Sequence, residues 1–262
     1  MLVARGSLVL ILLCCSCFTV HASSWPYDKQ HASYKGLETS TFAGERQSLG
    51  DDSFDYLLYT AFYPPSTCYT PLGCQYQNHA HPNFNQFTIH GLWPNRFDGT
   101  WPSLCTGEPL DLLALEPIMP QLKANWGNFW TGNDTDFWNH EWTKHGTCAS
   151  PAVFPSEVAY FEAVLRRSAR LPIWSFLSAA GIKASDSEMV TLSSVMAAIE
   201  AKTLTGSVHA DCVEEKDRSY LNQVWICTEK NADMVFIQCP ESMVNNTAFG
   251  CPSSFYIPEV PK

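Results

Sequence analysis

Leu221-Asn222-Gln223-Val224-Trp225-Ile226-Cys227 repeats every second residue, and Val208-His209-Ala210-Asp211-Cys212 and Met234-Val235-Phe236-Ile237-Gln238 have the same texture. Beyond Gly206 the chain therefore reads as antiparallel strands and hairpins. Working outward, Phe54–Phe62 alternates and is rich in aromatic residues. Gln86–Leu92 sets Phe87 and Ile89 against Thr88 and His90, so His90 is expected to point away from the apolar side of a strand. Between these strand regions the period changes. Ser156–Arg170 and Thr191–Lys202 have helical spacing, the first with Val158, Phe161, Val164 and Leu165 on one side. Leu110–Trp126 is also helical in spacing but should be split by Pro117 and Pro120. A further helix is expected from a cap at Asp134 or Thr135, through Phe137, Trp138, Trp142 and Lys144, to Gly146. Strands at both ends and helices in the middle predict an α+β fold: an antiparallel sheet with helices packed on one face.

Residues 1–22 hold one cation, Arg5, no acid, and an apolar run from Leu8 to Val20 before Val20-His21-Ala22. This is the form of a secretory signal. This run of 13 residues falls short of the roughly 20 that span a bilayer. The expected organisation is a signal peptide (1–22), an extended polar leader (23–52) and one domain (53–262). The product is expected in an oxidising compartment, either extracellular or an acidic vesicle such as a vacuole or lysosome, with no membrane association and as a monomer. Pro258–Lys262 carries no retention signal.

Three of the eleven cysteines, Cys14, Cys15 and Cys17, would leave with the signal. The remaining eight are Cys68, Cys74, Cys105, Cys148, Cys212, Cys227, Cys239 and Cys251. Behind a signal peptide they predict four disulfides rather than buried thiols, with the pairing open. Two sequons, at Asn133 and Asn245, suit glycosylated surface loops. The net charge of −10 becomes 15 − 26 = −11 once Arg5 is lost. A protein that coats nucleic acid by releasing counterions should be basic, so any phosphate contact here must be small and served by a local cation cluster.

Such a cluster is present. Trp138-Asn139-His140-Glu141-Trp142-Thr143-Lys144-His145-Gly146-Thr147-Cys148 packs four ionisable groups into six residues. On a regular helix, at about 100° per residue, His140, Lys144, Glu141 and His145 fall within about 140° of one another. They would share a solvent-facing side, with Trp138 and Trp142 on the other. An amphipathic surface helix accounts for any one of these residues, but less well for all four together with a further histidine in His90-Gly91. Zinc is disfavoured: a zinc-protease helix needs histidines at i and i+4, and here i+4 from His140 is Lys144. The set suits metal-free RNA cleavage instead. That reaction needs a base for the 2′-hydroxyl, an acid for the departing 5′-oxygen and positive charge near phosphorus. Two histidines can divide the proton roles because the imidazole titrates near neutrality. No cofactor is called for.

The segments His90-Gly91-Leu92-Trp93-Pro94 and Trp138–Cys148 resemble the two active-site signatures of the ribonuclease T2 family, and the likeness extends from about Phe54 to Ile257. The resemblance implies an α+β secreted endoribonuclease acting on single-stranded RNA. It would give 2′,3′-cyclic phosphates and then 3′-phosphates. His90 would be the general acid and His145 the general base, with Glu141 and Lys144 stabilising the phosphorane and His140 holding the phosphate. Trp93 and Asn95 match a base-binding pocket. For Trp93 a core role competes with base stacking. The implied disulfides are Cys68–Cys74, Cys105–Cys148, Cys212–Cys251 and Cys227–Cys239. One departure is Phe62-Tyr63-Pro64, where many plant-like members carry Gln-Trp-Pro, so base preference stays open. A binding or signalling protein that kept the fold but lost catalysis is the competing reading; the retention of all five site residues argues against it.

Overall fold

The computed structural model describes residues 53–70, 73–74, 81–106, 108–245 and 250–260. The expected signal peptide and leader lie outside these residues. Among the described residues six strands are formed: β1 (Tyr56–Phe62), β2 (Thr88–Asn95), β3 (Ser185–Thr191), β4 (Val208–Glu215), β5 (Arg218–Glu229) and β6 (Ser254–Ile257). The sheet order is β2-β1-β5-β6-β3, with β4 also paired to β5. All strand pairs are antiparallel except β5 with β6, which meet in parallel at Tyr220 and Tyr256.

β1 is buried along its whole length, as is β5 from Tyr220 to Thr228. Both faces of the central strands are therefore covered, by different material. Against one face lies the helix Glu157–Ala169, begun by Ser156, whose hydroxyl accepts from the Ala159 amide at 3.2 Å. Its buried residues are Tyr160, Phe161, Ala163, Val164 and Arg167. Val158 and Leu165 are only half-buried, so the packed stripe is rotated from the expected one. Tyr160 donates to the Leu92 carbonyl at 2.8 Å, which ties this helix to β2. The opposite face carries a cluster of Tyr56, Leu58, Trp93, Trp225, Cys227 and Met243.

Several boundaries differ from expectation for identifiable reasons. Residues 234–238 form no strand beyond a single bridge between Thr228 and Phe236. Met234 turns to a φ of 50°, and the Arg167 guanidinium takes the carbonyls of Asp233 and Met234. β3 is a polar, largely exposed edge strand without the apolar alternation that would reveal it. Pro117 and Pro120 do interrupt 110–126: each sits in a first turn, of a 3₁₀ helix at Glu116–Ile118 and of a helix at Met119–Asn125. Disulfides join Cys68 to Cys74, Cys105 to Cys148, Cys212 to Cys251 and Cys227 to Cys239. Among the described residues no helix is long and apolar enough to cross a membrane.

Candidate active site

The β1–β2 ladder pairs Thr60 with Gly91 and Ala61 with Ile89, so His90 is the extra residue of a β-bulge. A bulge re-aims a side chain that simple alternation would send elsewhere. Here it places His90 and Gly91 consecutively on the Trp93 face. The His90 carbonyl accepts from Trp126 Nε1 at 2.8 Å, while the imidazole meets Phe62 and Trp93 at ring distances of 5.8 and 4.9 Å. The expectation of a solvent-facing His90 is corrected: it is 0 % exposed, because on this two-sided sheet pointing away from one apolar layer means pointing into another.

The second signature begins with the helix Asp134–Glu141, capped by Asn133, whose side chain accepts from the Asp136 amide. The cap is thus one residue before Asp134 and two before Thr135, the expected positions. Asn133 is exposed, as is Asn245; the other residues of the second sequon, Asn246 and Thr247, lie outside the described set. Gly146 does not end the helix. Trp142–Gly146 instead widens into a π turn and Thr147–Ala149 continues from it. Such widenings occur often at functional sites. A wider turn winds less per residue, so His145 comes back toward the direction of Glu141. Trp93 marks the convergence: its Nε1 donates to Glu141 Oε2 at 2.8 Å, and its ring stacks on His145 at 5.1 Å.

Glu141 is 1 % and His145 7 % exposed, which also corrects the expected solvent-facing placement of the cluster. Glu141 Oε1 lies 3.7 Å from His90 Nε2. His140 and Lys144 are half-buried on the same segment. Gly91 makes the close approach possible, since a Cβ there would stand 2.1 Å from Glu141 Oε2. Tyr160 titrates well above the usual phenol range, first through burial and then through the Glu141 carboxylate. Trp93 is 9 % exposed and committed to Glu141 and His145. The Asn95 amide turns back to the Trp93 carbonyl at 3.1 Å. Tyr63, in the position of the departure, is buried and stacks on Trp174 at 5.4 Å. Among the described residues no group of three or more His, Cys, Asp or Glu side chains is placed to hold a metal ion.

Two residues outside both signatures join the site. Gln223 on β5 meets His90, and Asp211 on β4 pairs with it in register. The available signal was a polar residue in an inward stripe of Leu221, Trp225 and Cys227. Desolvation lifts the Asp211 carboxyl to about 7, against hydrogen bonds from Gly250, Asn222 and Gln223 that lower it. Its folded value lies above the unfolded one, so its stabilising contribution is complete below about pH 4 and is lost as pH rises through about 7. Across that window the melting temperature of the wild type should fall relative to Asp211→Asn. A parallel pair of melting-temperature curves would contradict this.

The family model described as "Ribonuclease T2 family" matches residues 54–239. "Extracellular ribonuclease LE" of Solanum lycopersicum is 34 % identical over 191 residues, covering 71 % of this chain and 81 % of the relative. "Ribonuclease T2 protein rnst-2" of Caenorhabditis elegans is 30 % identical, covering 72 % and 68 %. Among solved structures, RNase NT in complex with 5′-AMP is similar with a TM-score of 0.69 at 31 % identity, over 79 % of this chain and 98 % of that one. Bitter gourd ribonuclease MC1 gives 0.66 at 26 % identity, over 78 % and 100 %. With the fold, the paired signatures and these likenesses in agreement, the chain belongs to the ribonuclease T2 family.

Proposed function

We propose that this enzyme cleaves single-stranded RNA by transesterification to 2′,3′-cyclic phosphates, then hydrolyses these to 3′-phosphates, without a metal. The observation that carries the reading is the placement of His90 and His145 against one indole, Trp93, whose Nε1 also holds the Glu141 carboxylate 3.7 Å from His90 Nε2. His145 takes the 2′-hydroxyl proton as that oxygen attacks phosphorus. His90 donates a proton to the leaving 5′-oxygen, and the two exchange roles when water opens the cyclic ester. Glu141 and Lys144 act on the phosphorane, and His140 holds a phosphate oxygen. The oxidising chemistry of four disulfides supports passage through the secretory pathway to an extracellular or acidic vesicular destination.

The test is matched RNA and 2′-deoxy oligonucleotides, with analysis of product ends, in chelator. RNA should be cut to cyclic and then 3′-phosphate ends while the deoxy substrate stays intact, since the internal nucleophile is gone. Turnover against pH should be bell-shaped, because one imidazole must be charged and the other neutral. Cleavage of the deoxy strand, or loss of activity in chelator, would rule the mechanism out.

A further inference from the structure

His90 Nδ1 lies 2.7 Å from Gln223 Oε1. The same oxygen accepts from Trp225 Nε1 at 3.3 Å, and Gln223 Nε2 lies 3.5 Å from Asp211 Oδ2. Asp211 is held from its other oxygen by the Gly250 amide at 3.2 Å, beside the Cys212–Cys251 disulfide. An indole nitrogen only donates, and a carboxyl group offers an acceptor in either protonation state. The indole therefore demands that the Gln223 amide turn its oxygen toward Trp225 and His90, which leaves the nitrogen toward Asp211, where a carboxyl oxygen can accept from it. An amide oxygen facing Nδ1 can only accept, so Nδ1 carries a hydrogen in neutral and in charged His90 alike. Nε2, on the Glu141 side at 3.7 Å, is then the nitrogen that gains and loses the working proton. With His90 and Gln223 0 % and 2 % exposed, bulk water does not compete for this contact.

We propose that Gln223, oriented by Trp225 and Asp211, is a positioning residue that fixes His90 as its Nδ1–H tautomer and aims Nε2 at the leaving oxygen. This rests on the reading of His90 as the general acid. The titratable groups facing His90 are Glu141 from the helical segment, His145 across Trp93 and, through Gln223, Asp211 from β4. A proton donor must sit within hydrogen-bond reach of its acceptor, and loss of the Gln223 contact frees the ring to rotate or change tautomer.

Imidazole ¹H–¹⁵N correlation spectra of the wild-type protein test the tautomer directly. Neutral His90 should have its hydrogen on Nδ1; a hydrogen on Nε2 overturns the proposal whatever the variants do. In kinetics on RNA, Gln223→Leu should lower kcat by up to about 10²-fold with KM little changed. Gln223→Glu keeps the acceptor and should retain most of kcat. Its new negative charge should move the His90-dependent limb of the pH profile upward, which a purely structural role would not do. A Gln223→Leu enzyme with the wild-type kcat, or an unmoved limb in Gln223→Glu, also overturns it. Full activity in His90→Ala would instead remove the underlying reading of His90, so the two failures are distinguishable.

Discussion

Alanine at His90 or at His145 should lower turnover on RNA by roughly 10²–10⁴-fold. The two variants should not behave alike in other respects. His90 is fully enclosed and makes the shorter of two contacts to Gln223 Oε1, so its removal leaves that oxygen only the longer contact from Trp225 Nε1 and opens a gap in a dry site. A stability loss of about 1–3 kcal/mol should accompany the loss of rate. His145 is slightly less enclosed, at 7 % exposed, and packs by ring stacking on Trp93, so its alanine variant should unfold closer to the wild-type temperature. Rates measured well below each melting temperature separate the chemical effect from the structural one. Glu141→Gln should cost less than either, because the amide keeps an acceptor for Trp93 Nε1 and only the charge is lost. A folded His145→Ala protein cutting RNA at nearly the normal rate is the outcome that ends this account.

The second large effect concerns the bond that ties the loop after β2 to the segment bearing His145. Cys105–Cys148 closes 43 residues of chain, and Leu104 donates to the Lys144 carbonyl at 3.1 Å just beside it. Replacing both cysteines with alanine should destabilise the protein by about 2–4 kcal/mol. For a domain of this size that is a fall in melting temperature of about 2–4 °C per kcal/mol. The bridge Cys68–Cys74 closes only six residues and should matter less, because loop-closure entropy grows with length. Urea denaturation of the two double variants checks the order; equal losses would mean that chain entropy is not what these bridges control.

The site was legible in the sequence to the extent that its chemistry is concentrated. Six consecutive residues from His140 to His145, and His90 beside a glycine, expose themselves through residue type alone. Burial was not legible, because period-two alternation identifies opposite sides of a strand without saying what covers each. β2 alternates correctly up to Ile89, yet both its sides are enclosed. The helical wheel grouped Glu141 with His145, as the structure does, but missed their burial for a related reason: a wheel gives directions without saying what packs on each. The π turn that brings His145 further toward Glu141 has no local sequence signature. Gln223 and Asp211 come from strands more than 100 residues beyond His90, and only the register of β4 with β5 brings them together. In the fold, β5 was plain from its apolar stripe, whereas β3 took its place by pairing with β6 despite a polar, exposed sequence.

The bulge at His90 also sets a parity for the chain. On either side of it β2 keeps strict alternation, but the two halves are out of phase by one residue. Deleting a single residue at this point would bring the halves into phase and yield a more regular hairpin. It would leave one position on the Trp93 side where two now stand, so His90 and Gly91 could no longer both occupy it. The imidazole or the gap that admits the Glu141 carboxylate would be lost, with no need to alter either signature residue by substitution. For this strand, regularity and activity are alternatives, and length variants that a surface loop would absorb should be inactive here even when they fold.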